Sequence, residues 1–218
     1  MRLKPSQALC YGVNGHDRAR VLSRNRLENA PPVDANEVPI ISRTRQHMGF
    51  PPDTPGVLMI DHDPSEHGPR FTAGDGSDLL VALAKVAPGI ADAPTLWRPS
   101  ASSCIWRTDA EGKPVEELKG ISGQRLYLFV RDASDIARAG RALFERLWLT
   151  PDFGWMQVGG AGQLLMRSIV DASVWQPERL DFCGGAACGA SLVQRLPDPI
   201  ARNGDADFLD TRTAIPDL

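Results

Sequence analysis

Asp61 and Asp63 stand two residues apart at the end of a short apolar run, Val57-Leu58-Met59-Ile60. Alternate residues of an extended chain point to the same side, so both carboxylates face one way. They offer hard oxygen ligands to one or two divalent cations. Two such cations about 3.5–4 Å apart stabilise the attacking and the leaving oxygen of a phosphoryl transfer, which is the chemistry this spacing suits. An Asp-x-Asp before a proline is also an ordinary solvated turn, and Pro64 follows here. A second apolar run, Ser168-Ile169-Val170, ends in Asp171, so acids from separate strands could converge. The plainer alternative makes Asp171 the cap of the turn into Val174-Trp175, and Asp181 competes with it as the third acid. His62, between the two acids, points to the opposite face and is expected in the core or behind the site.

The elements that must hold these residues are legible in part. Val57 to Ile60 reads as a buried strand. Asp75-Gly76-Ser77-Asp78 supplies cap chemistry for a helix carrying Leu79, Leu80, Leu83, Val86 and Ala87, stopped at Pro88-Gly89. Thr95-Leu96-Trp97 and Ser103-Cys104-Ile105-Trp106 read as extended pieces, and Arg125 to Val130 is the strongest strand signal. Ser134 is placed to cap a second helix with Ile136, Gly140, Leu143 and Leu147 facing the core. Gly154 to Val158 and Leu164 to Val170 read as two strands, or a strand and a helical turn, around a glycine-rich turn. Before residue 56 the only β-like run is Val38-Pro39-Ile40-Ile41, and after Asp181 periodicity is lost, which reads as a poorly packed tail.

Three of these segments, in this order, resemble the signature of the archaeo-eukaryotic primase superfamily: Val57-Leu58-Met59-Ile60-Asp61-His62-Asp63, then Ser122-Gly123-Gln124-Arg125-Leu126-Tyr127-Leu128, then Ile169-Val170-Asp171. The stretch from Arg167 to Phe182 is similar to one found in primase-polymerases of bacterial mobile elements and phages. The resemblance covers residues 56–185. It implies an α+β prim-pol fold, with an RNA-recognition-like antiparallel sheet bearing the acids and an N-terminal α/β module. It further implies residues 1–55 as lead-in or part of that module, residues 56–185 as the catalytic core, and residues 186–218 as a tail or linker to a helicase region.

The function implied is template-directed nucleotidyl transfer in replication of a mobile element or phage. Asp61, Asp63 and Asp171 are the expected ligands of Mg²⁺ or Mn²⁺, (d)NTPs the substrates, single-stranded DNA the template, and a helicase domain or protein the partner. Arg125 stands where the family usually carries a phosphate-contacting histidine, and its planar charged fork suits phosphate oxygens. An alternative alignment takes Ser100-Ala101-Ser102-Ser103 as the second motif. The expected nucleotide-binding residues are therefore Arg125, Ser122, Ser103 and Ser102, with Arg167 and Arg179 flanking the third acid. For those two arginines ordinary surface ion pairing is the alternative. The tryptophans are core by default, with Trp106 or Trp155 as a platform for a template base.

The composition limits the rivals. At 218 residues, 42% of them hydrophobic, the chain can bury one sizeable core. A net charge of −3 argues against holding nucleic acid by bulk charge, yet Arg18, Arg20, Arg24, Arg26, Arg43 and Arg45 make the first fifty residues basic, a candidate template or partner surface. No apolar run is long enough for a membrane span and no secretory signal opens the chain, so a cytoplasmic protein without membrane contact is expected. Cys10, Cys104, Cys183 and Cys188 read as free thiols; a zinc knuckle of Cys183 and Cys188 with His16 or Cys10 lacks a second close pair. The rivals are a metal-dependent nuclease using the same acids and a non-catalytic nucleic-acid-binding or replication-initiation module.

Overall fold

The computed structural model describes residues 3–218. Its strands, in chain order, are β1 (Leu9–Cys10), β2 (Arg20–Leu22), β3 (Ile40–Ser42), β4 (Gly56–His62), β5 (Thr95–Pro99), β6 (Ile105–Thr108), β7 (Pro114–Lys119), β8 (Gln124–Val130), β9 (Gly154–Val158), β10 (Leu164–Ser168), β11 (Leu180–Asp181), β12 (Leu192–Gln194) and β13 (Ile200–Arg202). The helices are α1 (Arg24–Leu27), α2 (Ser77–Val86), α3 (Ile136–Trp148) and α4 (Thr211–Ala214). The architecture is mixed α+β.

The central sheet is antiparallel with the order β13-β5-β8-β4, so β4, which carries Asp61, is an edge strand. Its two faces differ as the period of two demands. Leu58 and Ile60 of β4, Leu126, Leu128 and Val130 of β8, and Trp97 of β5 are buried in the core. Leu79 and Leu83 of α2 and Ile136, Leu143 and Leu147 of α3 belong to the same core, so the helices cover this face. On the opposite face, cross-strand pairing sets Asp61 beside Arg125 and Arg98 beside Arg125, with Met59 beside Tyr127. The polar end of this second face is where the candidate site lies.

An unpaired strand edge exposes backbone groups that must find partners. The 169–175 segment supplies them. The Asp171 N–H donates to the Asp61 carbonyl at 2.9 Å, and the indole N–H of Trp175 donates to the Met59 carbonyl at 2.8 Å. Trp175 reaches that far because α3 carries glycine at position 140; a Cβ built there would lie 2.2 Å from the indole Cδ2. One glycine on a helix thus makes room for the indole that anchors this segment to β4.

Three departures from the sequence expectations have physical causes. Ser134 does not cap α3: it lies inside a short 3-10 turn, Ala133–Asp135, that Asp132 caps by accepting from the Ser134 N–H and hydroxyl, and Asp135 stands at the N-cap of α3 itself. The polar stretch after Lys113 forms β7, a six-residue strand that is mostly exposed and therefore shows no apolar alternation. The segment after Asp181 is not a poorly packed tail. β12 pairs with β6, β13 pairs with β5, and α4 delivers Thr211 and Ile215 into the interior, where Ile215 is fully buried. These pieces are three or four residues long, too short for periodicity to register. No helix among the described residues is long and apolar enough to cross a membrane.

Candidate active site

Asp61 is the penultimate residue of β4, followed by the buried His62, and its side chain is 13% exposed. Burial pushes its carboxyl above the usual carboxylate value; Arg125 opposes this, while Asp63 and Asp171 push in the same direction as burial. Asp61 thus feels burial and two neighbouring acids on one side and the Arg125 guanidinium on the other.

Arg125 is the counter-charge. Its Nε donates to Asp61 Oδ1 at 3.1 Å and its Nη1 donates to Asp181 Oδ1. Asp181 is completely buried and its second oxygen accepts from two hydroxyls, Tyr11 at 2.5 Å and Tyr127 at 2.9 Å. Burial, with Tyr127 and Asp181 adding to it, holds the Tyr11 hydroxyl well above its usual range, so it stays a donor. Burial lowers Arg125, but the two carboxylates outweigh it and keep the guanidinium charged. A buried carboxylate is costly unless its lone pairs are met, and here three donors meet them. Tyr11 comes from the N-terminal segment, which β1 ties to β11 through the pairs Leu9 with Asp181 and Cys10 with Leu180.

Asp63 lies one step beyond β4, over Gly123. A Cβ at residue 123 would come within 2.7 Å of Asp63 Oδ1, 3.1 Å of the His62 carbonyl and 3.1 Å of the Ser100 Cβ, so only glycine fits beneath this acid. Beside it is a cluster of hydroxyls. Ser100 Oγ lies 3.0 Å from Ser103 Oγ and 3.4 Å from Ser102 Oγ, and Ser103 Oγ lies 3.3 Å from Ser122 Oγ. Lys119 Nζ donates to Ser102 Oγ at 3.1 Å. The two serine segments proposed as alternative second motifs are therefore neighbours. Lys119 and Tyr11 were not singled out in the sequence; the signal for Lys119 is a cation opening the run Lys119-Gly120-Ile121-Ser122-Gly123, while Tyr11 has none.

Asp171 is brought to Asp61 by its backbone, but its carboxylate accepts from the Ser173 N–H and hydroxyl, both at 2.8 Å, and so caps the following 3-10 turn. Among the described residues no three His, Cys, Asp or Glu side chains are already gathered around one point. His62 faces the core, with its Nδ1 2.7 Å from the Ile169 carbonyl and its Nε2 unpartnered. Arg179 borders a cavity of about 350 Å³ together with Asp61, Arg125 and Arg43, whereas Arg167 is turned onto Gln157 of its own hairpin. Of the two tryptophans weighed as platforms, Trp155 packs near His67 with ring centroids 6.4 Å apart, and Trp106 sits in β6. All four cysteines are free.

Comparison with protein-family models, with curated proteins and with solved structures finds no match to this chain. The site therefore stands on its own chemistry. Its candidate donors are carboxylate oxygens, and His62, the imidazole nearest in sequence, faces the core; oxygen donors as a class suit hard cations such as Mg²⁺ or Mn²⁺ better than zinc. Asp61, Asp63 and Asp171 fit such an ion in donor type, while Asp61 is held by Arg125 and the Asp171 carboxylate by Ser173. The hydroxyls and the Lys119 ammonium beside them suit an anion with several oxygens.

Proposed function

We propose that this chain is the catalytic domain of a primase-polymerase that adds nucleotides from (d)NTPs to a strand on a single-stranded DNA template. The observation that carries the reading is the juxtaposition of Asp61 and Asp63 with the Asp171 turn on one side and the serine and lysine cluster on the other. A metal-binding end and a phosphate-binding end then lie within one site, as nucleotidyl transfer needs and a solvated turn does not.

In this reading Asp61 and Asp63, joined by Asp171, hold Mg²⁺ or Mn²⁺, and the bound ion supplies charge stabilisation to the reacting phosphate. The chain's own residues do the positioning. Ser102, Ser122 and Lys119 receive the triphosphate oxygens, and Ser103, which is buried, orients its neighbours. Arg179 approaches from the other rim. Arg125, which the sequence put forward as the triphosphate ligand, acts instead by holding Asp61 in place, because its guanidinium already lies between Asp61 and Asp181. In keeping with the resemblance, the reading gives such a domain a role in the replication of a mobile element or phage, with a helicase as partner.

Binding of a non-hydrolysable deoxynucleoside triphosphate, followed by calorimetry with and without Mn²⁺, tests this division of labour. Metal-dependent binding that Lys119→Ala weakens about tenfold, and Asp63→Asn abolishes, is expected. Binding that ignores both the metal and Lys119 would remove the phosphate role from this cluster.

A further inference from the structure

We infer that the cleft between α1 and the segment after β3 is the track for the single-stranded template, gripping its phosphodiester backbone through Arg24, Arg43 and Arg45. This rests on the proposed nucleotidyl transfer and names where the strand would lie. β2 and β3 pair in parallel, Arg20 opposite Ile40 and Leu22 opposite Ser42, so both strands leave the sheet at the same end. Arginines follow each closely: Arg24 and Arg26 after β2, Arg43 and Arg45 after β3. Parallel pairing thus converts two separate basic segments into the two walls of one cleft of about 620 Å³.

Two observations join this cleft to the acids. Arg43 lines both it and the cavity that contains Asp61, so the two are adjacent across this one side chain. The cleft floor is pinned by Glu178, from the segment that follows the Asp171 turn; Arg43 Nη1 donates to the Glu178 carbonyl at 2.5 Å, and Arg45 Nε lies 3.6 Å from the Glu178 carboxylate. Arg45 is 70% exposed despite this contact. Glu28 and Glu178 also line the cleft, so three guanidinium groups face two carboxylates, in a chain whose net charge is −3. A cationic excess at one place on an acidic protein marks a site for a polyanion rather than general stickiness.

The lining also tells how the strand is read. It holds arginines, a threonine, a serine, a glutamine and one leucine, but no aromatic ring. Without a stacking surface the bases contribute little, so binding depends on phosphate contacts, is indifferent to sequence and falls steeply with salt.

The test is fluorescence anisotropy of a labelled oligodeoxythymidylate with the full chain, over a series of salt concentrations. Arg24→Ala/Arg45→Ala leaves the Arg43 anchor in place. Each lost phosphate contact on a single strand lowers the slope of log affinity against log salt by about 0.7, so the double variant is expected to lower it by about 1.4. Arg24→Lys/Arg45→Lys, which keeps the charges, is expected to retain the wild-type slope. An unchanged affinity and slope in the alanine variant would overturn the track; the nucleotidyl-transfer reading would then stand or fall on the Asp61 and Asp63 variants alone. A wild-type protein that shows no salt-dependent binding to the oligonucleotide would overturn both.

Discussion

Replacing Asp181 by asparagine tests the network behind the acids. The side chain keeps its size but exchanges one acceptor oxygen for an NH₂ donor. Asp181 now accepts from Arg125 on one oxygen and from Tyr11 and Tyr127 on the other, so in the variant one of these two groups meets a donor. Hydrogen bonds to a charged group contribute about 1.5–3 kcal/mol each. Breaking a buried ion pair from one side costs about 3–5 kcal/mol. Arg125 keeps its bond to Asp61, which places the expected loss near the lower end, about 3 kcal/mol. In a chain of this length 1 kcal/mol moves the melting temperature by about 2–4 °C, so a fall of about 6–12 °C is expected by calorimetry at neutral pH. Tyr11→Phe removes a single donor and should lose about half as much. A readout that mere destabilisation would not move accompanies this: Arg125, deprived of Asp181, turns more fully onto Asp61, so Mn²⁺ binds the folded variant several-fold more weakly in titrations well below its melting point. Asn and Phe variants that both melt within about 2 °C of the wild type, with unaltered Mn²⁺ affinity, would refute the reasoning.

Gly123→Ala should cut nucleotide incorporation about tenfold, equivalent to about 1.4 kcal/mol at the transition state. The added Cβ displaces the Asp63 carboxylate, 2.7 Å away, and the effect should outweigh any change in melting temperature. Gly140→Ala forces the Trp175 indole off its seat, 2.2 Å from the new Cβ; an overpacking cost of about 1–3 kcal/mol and a changed tryptophan emission spectrum are expected. Asp135, buried under α4, has its carboxyl held below the usual value: burial pushes it up, but the bonds from Arg138 and Thr211 outweigh burial. A carboxyl depressed in the folded state contributes stability that is present above its unfolded value and is lost as pH falls through the folded one. Melting temperatures should therefore drop on acidification below about pH 4, and Asp135→Asn should flatten that drop while lowering stability at neutral pH.

How far the sequence reached can be judged element by element. β4, β8, α2 and α3 were legible because each buries a full stripe or run of apolar residues, so periodicity reports them. The sheet's second face was not, because Tyr11, Asp181 and Arg125 are separated by more than fifty residues at each step and meet only through pairing. Asp181 was weighed as a metal ligand; its complete burial against Arg125 and two tyrosines is a tertiary fact without a local signature. Asp171 takes the plainer of its two readings with its carboxylate, which caps the following turn, while its backbone N–H lies on the Asp61 carbonyl. The C-terminal strands were missed for a different reason: an edge strand of three residues is held by backbone hydrogen bonds, which any side chains can accompany.

Incorporation of labelled nucleotides on a single-stranded template, with and without a primer and in Mg²⁺ or Mn²⁺, tests the central claim most directly when run beside Asp61→Ala/Asp63→Ala. Metal-dependent extension by the wild type that disappears in the double variant, while the variant still folds by circular dichroism, is the predicted result. Equal extension by both proteins would contradict the assignment of the acids, and a wild type that neither extends a primer nor binds a triphosphate would contradict the enzyme.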